Sequence, residues 1–240
     1  MIFPTQIPLG VGYYTSPEAA RLLGVDASRV RRWVAGYTFW LQSQKSGKRR
    51  RKQSPLLTTD LPVLDDVRAL SFVELMELRV VKAFLVRGVP LQRVRVAAAL
   101  AREHFGVAHP FASQKVYTDG QNIFAGLQKD AGIDAVVELT RKKYLQLQSG
   151  QLIHSCLDEI EFDQFSTIAH RWWPLSRDFP IVLDPLISFG APIIAHTGVR
   201  TAVVAGMASA ESVNAAADSF GLTSDAVSAA LKFERILKAA

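Results

Sequence analysis

The stretch YTSPEAARLLGVDASRVRRWVAGY, residues 14–37, decides the fold because it encodes two short helices and a tight turn. Thr15 or Ser16 has the side chain that caps a first helix. Gly24 suits the left-handed residue that ends such a helix, and Asp26 can cap a second one. The spacing therefore predicts a helix-turn-helix.

The second predicted helix has an apolar face and a basic face. Val30, Trp33 and Val34 fall on one side, which we expect to face the core. A helix with outward arginines behind a glycine turn is the unit that enters the major groove of DNA. The alternative is an ordinary helical hairpin with a solvated basic face. The residues expected to contact DNA from this helix are Ser28, Arg29, Arg31 and Arg32.

Positive charge is concentrated in the same part of the chain. The formal net charge is +6, yet residues 1–55 hold ten Lys or Arg against two acidic residues, and the remainder holds eighteen against twenty. This is the footprint of a phosphate-binding module. The polar stretch 43–55 is predicted to be a loop, either simply solvated or in contact with the DNA backbone. The residues assigned to backbone contact are Lys48, Arg49, Arg50, Arg51 and Lys52.

The pattern along the chain predicts a mainly helical α+β protein in three parts. Residues 1–105 form a winged helix-turn-helix domain, in which a second helix pair, from Ser71 to about Phe105, completes the core. Residues 106–172 are a mixed α/β middle region with a hairpin at 115–124. Residues 173–240 form a small helical domain with a further helix–glycine–helix unit.

Several elements are predicted in the C-terminal part. Residues 181–183 read as a strand, and 199–204 is a short β-branched and apolar run. A helix over 210–220 is followed by a last helix that Thr223 caps and that extends through Leu237. The polar face of that last helix is a poor phosphate binder and a better protein-contact face. The alternative is that the alanine-rich composition of the segment reflects tight core packing.

The residue inventory does not favour an enzyme. The five histidines lack metal-ligand spacing, and Cys156 is the single cysteine. Four acidic residues in 158–163 would pair on helix faces if the segment were helical. Such pairs could form a two-carboxylate metal site, but a solvated acidic face or a site for a cationic partner is favoured. No phosphate loop or nucleophile elbow is present, and no cofactor is expected. Without a leader-like N-terminus or a membrane-length apolar run, the protein is expected to be cytoplasmic, with no membrane partner.

Both ends of the chain resemble known families. Residues 14–36 resemble the N-terminal helix-turn-helix of MerR-like regulators. The C-terminal segments PIVLDPLISFGAPIIAHTGVRTAVV and SAESVNAAADSFGLTSDAVSAALKFE resemble a small helical family found in antitoxins of bacterial toxin–antitoxin operons. The whole arrangement is similar to mycobacterial antitoxins of the VapB type. The motif positions are occupied by Asp184, Pro185, Phe189, Gly190, Pro192, Gly198 and Arg200.

The resemblance implies two partners. One is a PIN-domain ribonuclease toxin, whose acidic magnesium pocket such antitoxins occlude, often with a basic side chain. The other is operator DNA of the protein's own operon. A symmetric operator implies a homodimer with recognition helices roughly 34 Å apart. The resemblance names no toxin-binding residue.

One alternative is a one-component MerR-like regulator whose middle and C-terminal parts bind a small apolar ligand. Four aromatic residues could line its pocket, although such residues are more often plain core. These residues are Trp172, Trp173, Phe179 and Phe189.

Overall fold

The computed structural model describes residues 9–43, 47–64, 67–86, 90–114 and 159–239. Over these residues, helices combine with short antiparallel two-stranded sheets, and the predicted mainly helical α+β class is confirmed. The predicted hairpin at 115–124 lies outside the described residues, as do His154, Cys156 and Asp158.

The helix-turn-helix forms as its local signals predict. Helix α1 (Ser16–Leu23) begins with a capping box, in which Thr15 Oγ1 accepts a hydrogen bond from the Glu18 amide and Glu18 accepts one from the Thr15 amide. It ends at Gly24 in the left-handed conformation. Helix α2 (Ala27–Ala35) follows at once. The short turn thereby fixes the angle between the two helices.

The second helix pair completes the core of the first. Helices α3 (Phe72–Val86) and α4 (Leu91–Phe105) lie where the apolar spacing predicts them. Trp33 of α2 shares one buried apolar cluster with residues of both later helices. The apolar members of α3 and α4 in that cluster include Phe72, Leu75, Met76, Leu78, Val81, Val94 and Ala98.

Helix α3 also buries two glutamates, Glu74 and Glu77, both of which are 0 % exposed. Glu74 caps its own helix by accepting a hydrogen bond from the Ser71 amide at 2.8 Å. Glu77 accepts hydrogen bonds from His109 Nδ1 at 2.9 Å and from the Phe111 amide at 3.2 Å. Glu77 thus has a donor for each oxygen, whereas Glu74 Oε1 is buried without a hydrogen-bond partner among the described residues.

The basic stretch is not a loop, and that prediction is wrong. Strand β1 (Tyr37–Ser43) pairs antiparallel with strand β2 (Gly47–Gln53), which contains all five cations predicted to contact the DNA backbone. Strand β1 is rich in aromatic residues, which favour extended backbone. It provides the backbone hydrogen-bonding partners with which β2 forms a strand. The side chains of all five cations, from Lys48 to Lys52, are exposed. We call the β1–β2 hairpin the basic wing.

Short strands build the middle of the described chain. They are β3 (Val63–Leu64), β4 (Val67–Arg68), β5 (Ile160–Phe162) and β6 (Ala169–Trp172). The helical arrangement considered for the acidic cluster is wrong, because residues 160–162 are a strand. Its carboxylates bind within the chain: Glu159 pairs with Arg79, and Glu161 with Arg177. Asp163 Oδ1 accepts hydrogen bonds from the amides of a turn.

The C-terminal part contains one strand pair and three helices. The elements are β7 (Ile181–Val182), β8 (Ile193–Ile194), α5 (Thr201–Ala210), α6 (Val213–Phe220) and α7 (Ser224–Ala239). The apolar run at 199–204 enters helix α5, and the single helix predicted over 210–220 is α6 alone, capped by Ser212. Thr223 caps α7 as predicted, through its Oγ1 and the Ala226 amide at 3.2 Å. Four alanines of α6 and α7 are buried, which favours core packing as the reason for the alanine-rich composition. The polar residues of α7, Ser224, Asp225 and Ser228, are exposed.

The N-terminal and C-terminal parts pack directly against each other. The buried Tyr14 hydroxyl donates a hydrogen bond to the Gly190 carbonyl at 2.7 Å. The neighbouring Tyr13 amide donates one to the Phe189 carbonyl at 2.9 Å. Leu22 of α1 packs against both the cluster around α2–α3 and the cluster around α5–α7. The predicted boundaries at 105 and 172 stay predictions.

Candidate nucleic-acid interface

Helix α2 presents one side to the core and the other to solvent. Val30, Trp33 and Val34 are buried, which fixes the rotation of the helix about its axis. The three arginines are exposed and the serine is half-buried. The structure thus places the residues predicted to contact bases on the solvent side of α2: Ser28, Arg29, Arg31 and Arg32.

The N-terminus of α2 is held by Asp26. Its Oδ1 accepts hydrogen bonds from the amides of Ser28 at 2.8 Å and Arg29 at 3.3 Å. The hydrogen bonds from Ser28 lower the pKa of Asp26, so the capping carboxylate stays ionised near neutral pH. In the described parts of the chain, no carboxylate forms a salt bridge with the α2 arginines. Their charge is therefore available to an anionic partner.

The base of the basic wing is fixed to the helices behind it. Gly36 connects α2 to β1 with a φ of 72°, and a Cβ there would lie 2.3 Å from the Gln53 carbonyl oxygen. Only glycine permits this close approach. Arg95 of α4 donates hydrogen bonds to the carbonyls of Ser54 at 2.7 Å and Pro55 at 3.0 Å. The wing therefore keeps a set orientation relative to α2.

The strand register sorts the five cations of the wing onto two faces. Directly paired residues of an antiparallel ladder project to the same side, and successive residues alternate. The Trp40 face consists of Thr38, Trp40, Lys48, Arg50 and Lys52. The Phe39 face consists of Tyr37, Phe39, Leu41, Arg49, Arg51 and Gln53. An irregular loop would not have sorted the cations onto two faces in this way.

Sequence reasoning missed Trp40, whose side chain is 65 % exposed. The available signal was the aromatic-rich segment YTFWLQS, followed eight residues after Trp40 by the basic run that begins at Lys48. Tyr37 and Phe39 are in ring contact with each other, with centroids 5.7 Å apart.

The motif residues of the C-terminal part shape a turn. Asp184 is buried, accepts a hydrogen bond from Arg171 Nε at 2.6 Å, and accepts another from the Leu186 amide at 2.9 Å. Beyond it, Ser188 and Phe189 adopt positive φ values of 50° and 56°, a conformation that costs non-glycine residues energy. The turn brings the Gly190 carbonyl to the Tyr14 hydroxyl.

A cleft of about 600 Å³ lies where α1 meets α5 and α7. Of the four aromatics considered for a ligand pocket, Phe189 lines this cleft. Trp172 is buried in the core, Trp173 packs against β7 and β8, and the Phe179 ring lies under the Lys232 ammonium at 5.6 Å. The four do not form one pocket. The charged residues that line the cleft are Arg21, Arg200, Lys238, Glu18 and Glu234.

Comparison with known proteins covers both ends of the chain. Residues 12–98 match the protein family described as "Putative DNA-binding HTH domain". The chain is 29 % identical over 233 residues to "Putative antitoxin VapB45" of Mycobacterium tuberculosis, with 94 % of this chain and 95 % of that protein covered. The predicted resemblance to VapB-type antitoxins is confirmed.

A solved structure is similar to this chain in its three-dimensional fold. The crystal structure of Rv2018 from Mycobacterium tuberculosis matches with a TM-score of 0.69 and 26 % identity, over 95 % of this chain and all of that one. The HTH match spans α1 to α4, including the basic wing. Together these similarities point to a non-enzymatic regulator. None of the helices in the described ranges is long and apolar enough to cross a membrane.

Proposed function

We propose that this protein is an antitoxin that neutralises a PIN-domain ribonuclease toxin and represses its own operon by binding operator DNA. The observation that carries the proposal is a basic helix-turn-helix and wing within a chain that resembles an antitoxin over nearly its whole length. A protein with these partners acts in the bacterial cytoplasm.

On the DNA side, α2 lies in the major groove and the basic wing contacts the flanking backbone. Arginine can pair in bidentate fashion with guanine, so Arg29, Arg31 and Arg32 are the residues that select sequence. The cations of β2, from Lys48 to Lys52, supply affinity that does not depend on sequence. The protein binds as a homodimer, whose two α2 helices occupy successive major grooves about 34 Å apart.

On the toxin side, support comes from the similarity to the VapB-type relative and from the matching C-terminal motif. A PIN-domain ribonuclease holds magnesium with carboxylates, and a basic side chain that enters this pocket displaces the metal or its water. The partner is the product of the adjacent open reading frame.

The first experiment is co-expression with that reading frame, followed by light-scattering mass determination. We expect a stable hetero-complex that retards a duplex from the operon's own promoter. A homodimer that leaves the neighbouring product unbound refutes the antitoxin half. Failure to distinguish the promoter from a scrambled duplex refutes the repressor half.

The cleft between α1 and α7 favours a second candidate, a regulator that responds to a small anionic ligand. Its walls combine the Tyr13 and Phe189 rings with three cations, which outnumber the two carboxylates of the lining, Glu18 and Glu234. A ligand seated there would contact both the DNA-binding part and the C-terminal part. Operator affinity that changes on titration with small aromatic carboxylates would support this candidate over the first.

A further inference from the structure

Trp40 is a large apolar side chain that the described residues leave mostly uncovered. Its indole is 65 % exposed at the middle of β1. No ring contact or cation–π contact of Trp40 occurs among the described residues. Trp33 and Trp172 are both buried. An indole left in water lacks the hydrophobic stabilisation that burial would give it. We therefore expect a binding partner to cover Trp40.

The surroundings of Trp40 determine which kind of partner fits. Arg50 lies directly opposite Trp40 in the ladder. Lys48 and Lys52 are the diagonal neighbours of Trp40 on the same face. Opposite side chains start about 5 Å apart and diagonal ones about 7–8 Å apart. Lys48, Arg50 and Lys52 therefore surround the indole on one face. An apolar protein surface would have to desolvate these three charges, whereas a polyanion neutralises them.

The basic wing also has the dimensions to reach a second groove of DNA. Each strand has seven residues, which corresponds to about 23 Å of extended chain. The wing leaves the C-terminal end of α2 through Gly36 and is fixed there. With α2 in a major groove, a projection of this length crosses the bordering phosphates and meets the adjacent minor groove, which is about 6 Å wide.

We propose that Trp40 is a DNA-contacting wedge, which inserts its indole into the minor groove beside the α2 site while Lys48, Arg50 and Lys52 bind the bordering phosphates. The proposal rests on the proposed function, because it requires operator binding through α2. Apolar side chains in the minor groove partly unstack a base step and kink the duplex. Trp40 then favours operators with a flexible step at that distance from the α2 contacts.

The test compares variants of the two wing faces in the full chain. Trp40→Ala should weaken binding to a duplex from the operon's own promoter by about five- to 150-fold, the range for losing one base–aromatic stack. Trp40→Phe should retain most of the affinity. Leu41→Ala is the matched control, because Leu41 is an exposed apolar neighbour on the Phe39 face and should change little.

A second, charge-matched pair separates wedge insertion from general attraction. Arg50→Gln and Arg49→Gln each remove one charge from β2, on opposite faces. We expect Arg50→Gln to cause the larger loss of affinity. Emission of Trp40, obtained as the difference between wild type and Trp40→Phe, should be quenched on binding. A duplex with end-attached fluorophores should bend with wild type and less with Trp40→Ala.

Each outcome bears on one proposal or both. If Trp40→Ala binds the promoter duplex as well as wild type does, and the Trp40 emission of wild type is not quenched on binding, the wedge proposal is overturned and the repressor proposal stands. Wild type that does not prefer the promoter duplex overturns both. Because Trp40 is exposed, thermal unfolding should be alike for wild type and Trp40→Ala, and a lowered midpoint would assign the residue a structural role instead.

Discussion

The ion triad formed by the exposed Asp60 and the buried His109 and Glu77 offers a direct test of what holds the DNA-binding part together. His109 Nε2 lies 2.8 Å from Asp60 Oδ1, and Nδ1 lies 2.9 Å from Glu77 Oε2. The two carboxylates therefore sandwich the ring between the segment before α3 and α3 itself. Replacing His109 by Ala removes the cation and leaves Glu77 buried. Among the described residues, only the Phe111 amide would then donate a hydrogen bond to it.

The magnitude follows from the protonation of His109. Burial alone would lower its pKa, but the hydrogen bonds to Asp60 and Glu77 raise the pKa of His109 from 6.5 to about 10. Each pKa unit corresponds to about 1.4 kcal/mol, so the shift is equivalent to about 5 kcal/mol at most. Breaking a buried ion pair by removing one partner typically costs about 3–5 kcal/mol. We expect His109→Ala to lower the free energy of unfolding by about 3–5 kcal/mol at pH 7.

The pH dependence has a definite sign. Since the pKa of His109 is raised in the folded chain, its contribution is fully present below pH 6.5. It declines as the pH rises toward 10. The difference in unfolding free energy between wild type and His109→Ala should therefore shrink steadily from pH 7 to pH 9. Urea titrations followed by circular dichroism at several pH values measure this difference.

A second substitution makes the reasoning refutable. Glu77→Gln in the His109→Ala background replaces the uncompensated charge with a neutral amide, and should recover part of the lost stability. Additivity of the two changes in a double-mutant cycle would mean that the residues are not coupled. A loss below about 1 kcal/mol for His109→Ala, where the ion pair predicts about 3–5 kcal/mol, would likewise refute the triad as a stabilising unit.

Three further predictions concern the interface and the packing between the two ends. Replacing Arg31 and Arg32 with Ala should weaken operator binding by about 1–3 kcal/mol for each arginine that pairs with a guanine and relax sequence choice; unchanged gel shifts would remove α2 from base reading. Replacing residues 48–52 with Gln should weaken binding to every duplex. It should also reduce the slope of log K against log salt by about 0.9 for each phosphate that the variant no longer neutralises. An unaltered slope would exclude backbone binding by β2. Gly190→Ala should lower the melting temperature, because φ is 81° and a Cβ would lie 2.2 Å from the tyrosine hydroxyl that binds its carbonyl; Gly206→Ala, in α5 with nothing within 4 Å, is the matched control and should be neutral or stabilising.

Local signals were sufficient to predict the helix-turn-helix. Thr15, Gly24 and Asp26 each act through neighbours within three or four residues, so their roles can be read from a short window. The same holds for Thr223 at the start of α7. The basic face of α2 followed from the apolar spacing of its inner face, which is also a local property.

Features that depend on distant partners were not predictable in this way. The cations of β2 form a strand because β1 offers a ladder, and a polar window alone carries no trace of that pairing. Glu77 interrupts the apolar stripe of α3, and its burial depends on His109, 32 residues away. The acidic residues near 160 pair with arginines of other segments, such as Arg79. In each case the deciding contact lies outside the window that a periodicity argument covers.

Leu22 has a consequence for how long the protein's two proposed activities persist in a cell. This side chain packs into both apolar clusters, so α1 forms part of the wall of each. Proteolysis that removes residues 184–239 would uncover Leu22 and withdraw the Gly190 carbonyl from Tyr14. A truncated head would then be a weaker operator binder as well as unable to hold a toxin through its tail. Turnover would thus end repression and neutralisation together, with no long-lived fragment that performs only one of them.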